Sequence, residues 1–123
     1  MIVVDTSALI DSLCGPRRSL GKLTRFIEAG ERLVLPAIAL YEWLRGPRLP
    51  DELHAQEELF PRDEVAVFGA AEAAAAADLY RLVRSPRGRE IDLAIAATAL
   101  VREASLWTLN DAGFVDVPGI SLV

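Results

Sequence analysis

The sequence predicts a three-layer α/β protein in which a central parallel sheet of four to five strands is covered by helices on both faces. Two observations predict this fold class. Short apolar and β-branched runs alternate with segments of helical periodicity, a pattern typical of parallel strands joined by crossover helices. The chain has 123 residues, of which 52% are hydrophobic, which suffices for one core but not for two. We therefore expect a single domain over residues 1–123.

The first half of the chain predicts two strands and three helices. Residues 2–4 are a β-branched run of the kind found in buried central strands. A helix begins at Thr6 and is broken by Gly15-Pro16, and a second helix covers residues 20–28. Residues 32–35 form the second predicted strand, and the next helix covers residues 37–45.

The second half predicts three further helices and up to three strands. A polar helix covers residues 51–60, and a third strand covers residues 64–68. An alanine-rich helix then continues to Arg84, and a helix that is apolar nearly all round, and therefore buried, covers residues 89–103. Residues 106–109 form a fourth strand and residues 120–123 an edge strand.

Composition excludes several classes of protein. Thirteen basic and eighteen acidic residues give a formal net charge of −5, whereas a plain nucleic-acid-binding protein is expected to be basic. The only cysteine, Cys14, excludes an internal disulfide and a zinc site built on several cysteines. The single histidine, His54, lies in a polar segment, so a Ser-His-Asp mechanism has no support. No apolar stretch is long enough to span a membrane, and we expect a cytoplasmic protein.

Four acidic residues fall where predicted strands end or the following helices begin. Asp5 follows the first strand, and Asp111 follows the fourth. Glu42 lies in the helix after the second strand, and Asp92 lies in the first turn of the buried helix. Each also has an ordinary structural explanation: a helix cap, an ion pair with Arg45, a contact with the helix dipole, or a turn residue. Because the carboxyl ends of parallel strands meet at one edge, we expect the four carboxylates to gather there.

Carboxylates crowded in apolar surroundings repel one another, and a divalent cation removes that penalty. Without these four acids the formal charge of the chain would be −1. Mg²⁺ takes oxygen ligands, supplies hydroxide from bound water near neutral pH and stabilises the developing charge of a phosphodiester. The chain has no glycine-rich phosphate loop. Metal-assisted hydrolysis of a phosphodiester is therefore the predicted reaction class.

Four motifs in order and spacing resemble a PIN domain. They are residues 3–10, residues 35–46, residues 91–100 and residues 106–110, and the segment from Phe114 to Ile120 also fits. Size and sequence most resemble VapC, the ribonuclease toxin of type II toxin–antitoxin pairs. The resemblance covers nearly the whole chain and implies the three-layer PIN fold.

The resemblance also implies an activity and a set of site residues. It implies a Mg²⁺- or Mn²⁺-dependent endoribonuclease that cuts structured RNA such as tRNA or ribosomal RNA. Asp5 and Asp92 would be the metal ligands, and Glu42 would help to hold metal or water. Thr6 would orient Asp5. Thr108 and Asn110 would line the same crevice.

One departure from the family pattern concerns the fourth acid. Many members have an acid at the position that Gly113 occupies here. Asp111 is the favoured substitute, and Asp116 is a weaker candidate. A catalytically degenerate PIN domain that only binds RNA or a protein therefore remains an alternative.

The resemblance implies that a cognate VapB-like antitoxin restrains the protein, inserting a helix or an extended tail near the active site. It further implies a homodimer and a toxin–antitoxin hetero-oligomer. Residues 43–60 mix apolar residues that we expect to be exposed with prolines and charges, which is compatible with a groove for an antitoxin helix and equally with an ordinary helical hairpin.

Overall fold

The computed structural model describes residues 1–123. Its sheet consists of β1 (Ile2–Val4), β2 (Leu33–Val34) and β3 (Ser105–Trp107). All pairings are parallel and the strand order is β2-β1-β3, so that β1 is central. Each residue of β1 is buried, as expected of a strand that is hydrogen-bonded on both sides. The structure confirms the predicted α/β class with a parallel sheet.

The sheet is smaller than the predicted four to five strands. In place of the third strand predicted over residues 64–68, a 3₁₀ turn (Arg62–Glu64) is followed by a single parallel bridge between Ala66 and Pro36. Pairing ends there because the neighbouring chain turns into a helix at Ala37. The predicted edge strand over residues 120–123 is likewise one bridge, between Leu122 and Leu106.

Six helices agree with the predicted ones to within about two residues at most ends. They are α1 (Thr6–Leu13), α2 (Leu20–Glu28), α3 (Ala37–Arg45), α4 (Pro50–Leu59), α5 (Ala70–Leu82) and α6 (Glu90–Val101). A second 3₁₀ turn, Asp111–Gly113, follows β3. None of these helices has the length and apolar character needed to cross a membrane.

Helix α6 is the best-buried helix and fixes the position of its own first turn. Residues 93–99 are all buried, and the helix packs on β1, β3, α3 and α5. Ala96, Ala97 and Ala99 have no exposed surface, so small side chains stand where α6 meets the elements packed around it. Asp92, just before this buried stretch, is therefore held at a fixed place beside the sheet.

On another side of β3, aromatic packing anchors α2. The ring of Phe26 meets the indole of Trp107 edge-on, with centroids 5.3 Å apart, a favoured geometry for aromatic pairs. The ammonium of Lys22 lies 5.7 Å from each ring centroid. Trp107 is fully buried, so the residue that follows it, Thr108, begins from a rigid base.

Candidate active site

The site lies at the carboxyl edge of the sheet, where β1 and β3 end side by side. Asp5 follows β1 directly, and its backbone N–H donates to the carbonyl of Trp107 at 2.9 Å. Asp5 also precedes α1, but its side chain makes no capping hydrogen bond. Asp5 is only 5% exposed, and its carboxylate is not used to cap the helix.

Two hydroxyl groups hold one oxygen of Asp5. Thr108 Oγ1 donates to Asp5 Oδ2 at 2.7 Å, and Ser7 Oγ donates to the same oxygen at 3.0 Å. The hydroxyls are themselves positioned by backbone N–H groups, since Leu109 donates to Ser7 Oγ and Asn110 donates to Thr108 Oγ1, each at 3.0 Å. Asp5 Oδ1 accepts no protein hydrogen bond, and it is not completely buried, so a small ligand can reach it. One oxygen is thus fixed while the other stays free for a ligand.

Glu42 is brought to the same region by α3. Thr6 Oγ1 donates to Glu42 Oε1 at 2.6 Å, and Arg45 Nη2 donates to Glu42 Oε2 at 3.4 Å. The expectation that Thr6 orients Asp5 is therefore wrong: its hydroxyl is committed to Glu42. The expected i,i+3 pair with Arg45 is present but long and exposed, and exposed pairs contribute little.

Asp92 links the carboxylates electrostatically. Burial raises the pKa of its carboxyl, and the negative charges of Asp5 and Glu42 raise it further, whereas the positive charge of Arg89 lowers it. The charges of Asp5, just before α1, and of Glu42, on α3, therefore reach Asp92 in the first turn of α6. Asp5, Glu42 and Asp92 thus lie on the same edge of the sheet, and their joint role in one site remains a prediction.

Asp111 stands apart from these three carboxylates. It is exposed, it opens the second 3₁₀ turn, and its side chain makes no hydrogen bond. Asn110 contributes its backbone N–H to Thr108, while its amide Nδ2 lies 2.5 Å from where a Cβ on Gly113 would be. A side chain at position 113 would require the exposed Asn110 amide to move aside.

Arg89 is a site-flanking residue that the sequence did not single out. It donates to both carboxylate oxygens of Asp116, at 2.6 and 2.9 Å, and to the carbonyl of Gly113 at 3.0 Å. These bonds tie the start of α6 to the segment after β3. Asp116, the weaker candidate for the fourth acid, is thus already paired with a guanidinium. No sequence signal joins positions 27 residues apart.

The donor set suits a hard cation. All candidate donors are carboxylate oxygens, Asp5 Oδ1 is unbonded, and both oxygens of Asp92 lack protein hydrogen bonds. No three His, Cys, Asp or Glu side chains form a ready-made ligand group in the structure. Mg²⁺ commonly binds through one or two carboxylates, with water and substrate oxygens as further ligands. The donor atoms at this edge of the sheet are therefore of the chemical kind that Mg²⁺ takes.

Outside this site, the structure confirms one prediction and corrects another. His54 lies on the surface, where its side chain is 74% exposed and contacts Glu58. In the proposed groove region, Trp43 and Phe60 belong to the core, contrary to the expectation of an exposed apolar set. The exposed apolar residues there are Leu44, Leu49 and Leu53.

A cleft of about 410 Å³ lies between α4 and the end of α1. Apolar side chains line part of it and charged side chains the rest. Its lining residues are Ser12, Leu13, Arg17, Leu20, Asp51, Glu52, Ala55, Glu58 and Leu59.

Together, the fold and the site define a class: a parallel α/β domain that presents carboxylates at the carboxyl edge of its sheet. The PIN domain family model matches residues 2–120. The chain therefore belongs to the PIN domain family, whose members are generally nucleases. No curated protein sequence matches the chain significantly.

Solved structures with this fold include toxin–antitoxin complexes. DNA-bound VapBC from Salmonella typhimurium matches with a TM-score of 0.76 and 24% identity, over 99% of this chain and 96% of that chain. FitAcB from Neisseria gonorrhoeae matches at 0.75 and 20%, over 100% and 97%. A toxin–antitoxin complex from Klebsiella pneumoniae matches at 0.73 and 23%, over 98% and 95%. At these identities the likeness concerns the fold.

Proposed function

We propose that this chain is a Mg²⁺- or Mn²⁺-dependent endoribonuclease and the toxin of a type II toxin–antitoxin pair. One observation carries the proposal: Asp5 at the end of β1, Glu42 on α3 and Asp92 in the first turn of α6 lie at one edge of the sheet, where Thr6, the residue after Asp5, donates to Glu42. A purely structural role for each acid does not account for their convergence. Like charges crowded together destabilise a fold unless a cation offsets them.

Each residue has a distinct role in this proposal. Asp5 and Asp92 hold the metal, which when bound acidifies water and stabilises negative charge on phosphate oxygens. Thr108 and Ser7 fix Asp5 Oδ2, so that Oδ1 remains free of protein hydrogen bonds and can take a ligand. Thr6 holds Glu42, which positions metal or the attacking water.

The fourth carboxylate is proposed to be Asp111. It is exposed and unpaired, so its side chain is free to turn toward bound RNA or metal. Asp116 is less suited because Arg89 occupies both of its oxygens. In a cleavage assay, Asp111→Asn is expected to reduce the rate and Asp116→Asn to reduce it less. Equal rates for wild type and Asp111→Asn would remove Asp111 from the site.

The proposed partner is a VapB-like antitoxin that acts with this toxin in the cytoplasm. The structural relatives are complexes of toxins with antitoxins. The cleft beside α4 offers apolar contacts with charged borders, as a groove for an amphipathic helix requires. A homodimer and a hetero-oligomer with the antitoxin complete the proposed assembly.

The deciding experiment is cleavage of total tRNA and ribosomal RNA by the purified protein. We expect discrete products with Mg²⁺, none with EDTA, and none with Asp92→Ala. Asp63→Ala is the matched control, because Asp63 is exposed and makes no ion pair. Products that survive EDTA or Asp92→Ala would refute the proposal.

A catalytically degenerate PIN domain is the second candidate, favoured by Gly113 and by the Asn110 side chain packed over it. Titration calorimetry with Mn²⁺ separates the two. Binding that is lost in Asp92→Ala supports the nuclease. Absent Mn²⁺ binding with retained RNA binding supports the degenerate module.

A further inference from the structure

Arginine is concentrated in one short segment of an otherwise acidic chain. Residues 81–90 contain four arginines and one acid, a local formal charge of +3, which leaves −8 on the other residues. We call residues 83–89, between α5 and α6, the arginine loop. A positive patch on a negative protein is positioned to attract a polyanion at one place only.

Two of the four arginines are already paired and two are not. Arg81 binds Asp78, and Arg89 binds Asp116. Arg84 and Arg87 are exposed, and neither takes part in a salt bridge or a side-chain hydrogen bond. Nothing in the fold requires these two charges, so they are available to a partner. The guanidinium group is well suited to bind phosphate through two parallel hydrogen bonds.

An aromatic ring stands beside the free arginines. Tyr80, 39% exposed on the last turns of α5, lines an open depression of about 410 Å³ together with Arg84, Ser85, Pro86 and Arg87. Unstacked RNA bases stack on aromatic side chains while cationic side chains follow the phosphates. The depression thus combines the two contacts that single-stranded RNA uses.

The arginine loop leads directly into the candidate active site. Gly88, with φ +81°, turns the chain into α6, and Asp92 lies in the first turn of that helix. Asp92 is five positions after Arg87, so their Cα atoms are less than about 18 Å apart. An RNA strand at the loop is therefore within a few nucleotides of the carboxylates.

We propose that the arginine loop is the docking site of the RNA substrate, where Arg84 and Arg87 bind backbone phosphates and Tyr80 stacks on an unpaired base. This inference rests on the proposed ribonuclease function and adds to it the means of holding RNA. It also explains how a protein of net charge −5 binds a polyanion.

The test measures the binding of a fluorescein-labelled single-stranded RNA of about 12 nucleotides by fluorescence anisotropy. EDTA is present so that no cleavage occurs. The variants are R84Q/R87Q and, as the matched control, R18Q/R25Q, which removes two exposed arginines that form no ion pair. Losing two phosphate contacts should reduce the slope of log K against log salt by about 1.4. At 0.1 M salt this corresponds to an affinity about 25-fold weaker.

Tyr80→Leu tests stacking separately from charge. It should weaken binding about fivefold or more and leave the salt slope unchanged. If R84Q/R87Q binds no more weakly than R18Q/R25Q, the proposal is overturned, and this includes the case in which the loop contacts a protein instead.

Cleavage with Mg²⁺ keeps this proposal separate from the parent one. If the wild-type protein cleaves total RNA, and R84Q/R87Q cleaves and binds RNA equally well, only the docking-site proposal is refuted. If the wild-type protein neither binds nor cleaves RNA, both the ribonuclease proposal and the docking-site proposal are refuted.

Discussion

At the scale of single residues, Asp5 is the most constrained group in the site. Hydroxyls from α1 and from the end of β3 both donate to Oδ2, and backbone N–H groups donate in turn to those hydroxyls. Hydrogen bonds to a charged acceptor in a largely buried position are among the stronger ones in proteins. Asp5 is therefore preorganised before any ligand arrives.

Thr108→Val tests this arrangement with little change in side-chain volume. The loss of a buried hydrogen bond to a carboxylate is expected to lower the free energy of unfolding by about 2 kcal/mol. Thr24→Val is the control, since Thr24 is exposed and bonds only within α2, and its effect should stay below about 0.5 kcal/mol. Urea unfolding measures both, and equal effects would contradict the proposed role of Thr108.

The sequence indicated which acids converge but not how they are held. The placement of Asp5, Glu42 and Asp92 could be predicted from the sequence, because strand ends in a parallel sheet share an edge. The hydrogen-bond partner of Thr6 could not be predicted, because a hydroxyl at a helix start has several acceptors within reach and tertiary packing selects one. Ser7 was missed for the same reason, although a hydroxyl two residues after Asp5 is a usable signal.

At the scale of elements, α6 is enclosed by its neighbours and carries buried alanines where larger side chains would not fit. Ala96→Leu would force a larger side chain into space that has no exposure, and we expect a loss of about 1–3 kcal/mol. Ala73→Leu, on an exposed position of α5, should be nearly neutral. Thermal unfolding compares the two. Similar melting temperatures would show that the helix contact tolerates added volume.

The Arg89–Asp116 pair joins α6 to the segment after β3, and it predicts a pH dependence. Its hydrogen bond lowers the pKa of Asp116 below the ordinary value. The pair therefore stabilises the fold above the unfolded pKa of about 4, and the stabilisation is lost as pH falls through the lowered folded pKa.

Asp116→Asn should accordingly be less stable than wild type at neutral pH, and the difference should close as the pH drops below about 4. Because the pair is exposed, the effect is small. Urea midpoints across this range measure it, with Asp63→Asn as the unpaired control. A difference that persists in strong acid would assign the loss to something other than the ion pair.

Helices were predicted better than strands. The helical patterns carry their own boundaries in Gly15-Pro16, Gly30 and Gly46-Pro47, so most ends fall within two residues of the structure. Strand extent depends instead on whether a neighbouring chain is present. The apolar run at residues 64–68 meets only Pro36 before that chain becomes α3, and no local property of the run reveals this.

At the scale of the whole molecule, the repulsion between the carboxylates of the site lowers the free energy of unfolding. Asp92 is half-buried beside two other carboxylates, and neutralising it relieves their repulsion. Asp92→Asn is therefore expected to raise the melting temperature of the metal-free protein, by roughly 3–5 °C for each kcal/mol by which the free energy of unfolding increases. The same substitution is expected to abolish the proposed cleavage.

Added MgCl₂ provides a second readout of the same variant. A ligand that binds only the folded state raises the melting temperature, so wild type should gain stability with MgCl₂ and Asp92→Asn should not. Scanning calorimetry with and without MgCl₂ measures this. An equal shift for both proteins would place cation binding elsewhere.

The single bridges at the two margins of the sheet bear on how the molecule avoids misassembly. Ala66 pairs with Pro36, just after the two-residue strand β2, and Leu122 pairs with Leu106 of β3, so neither margin offers a long row of free N–H and C=O groups. Such rows template strand addition between chains and lead to fibrils. A chain that accumulates at high concentration is thereby protected against polymerisation through its sheet.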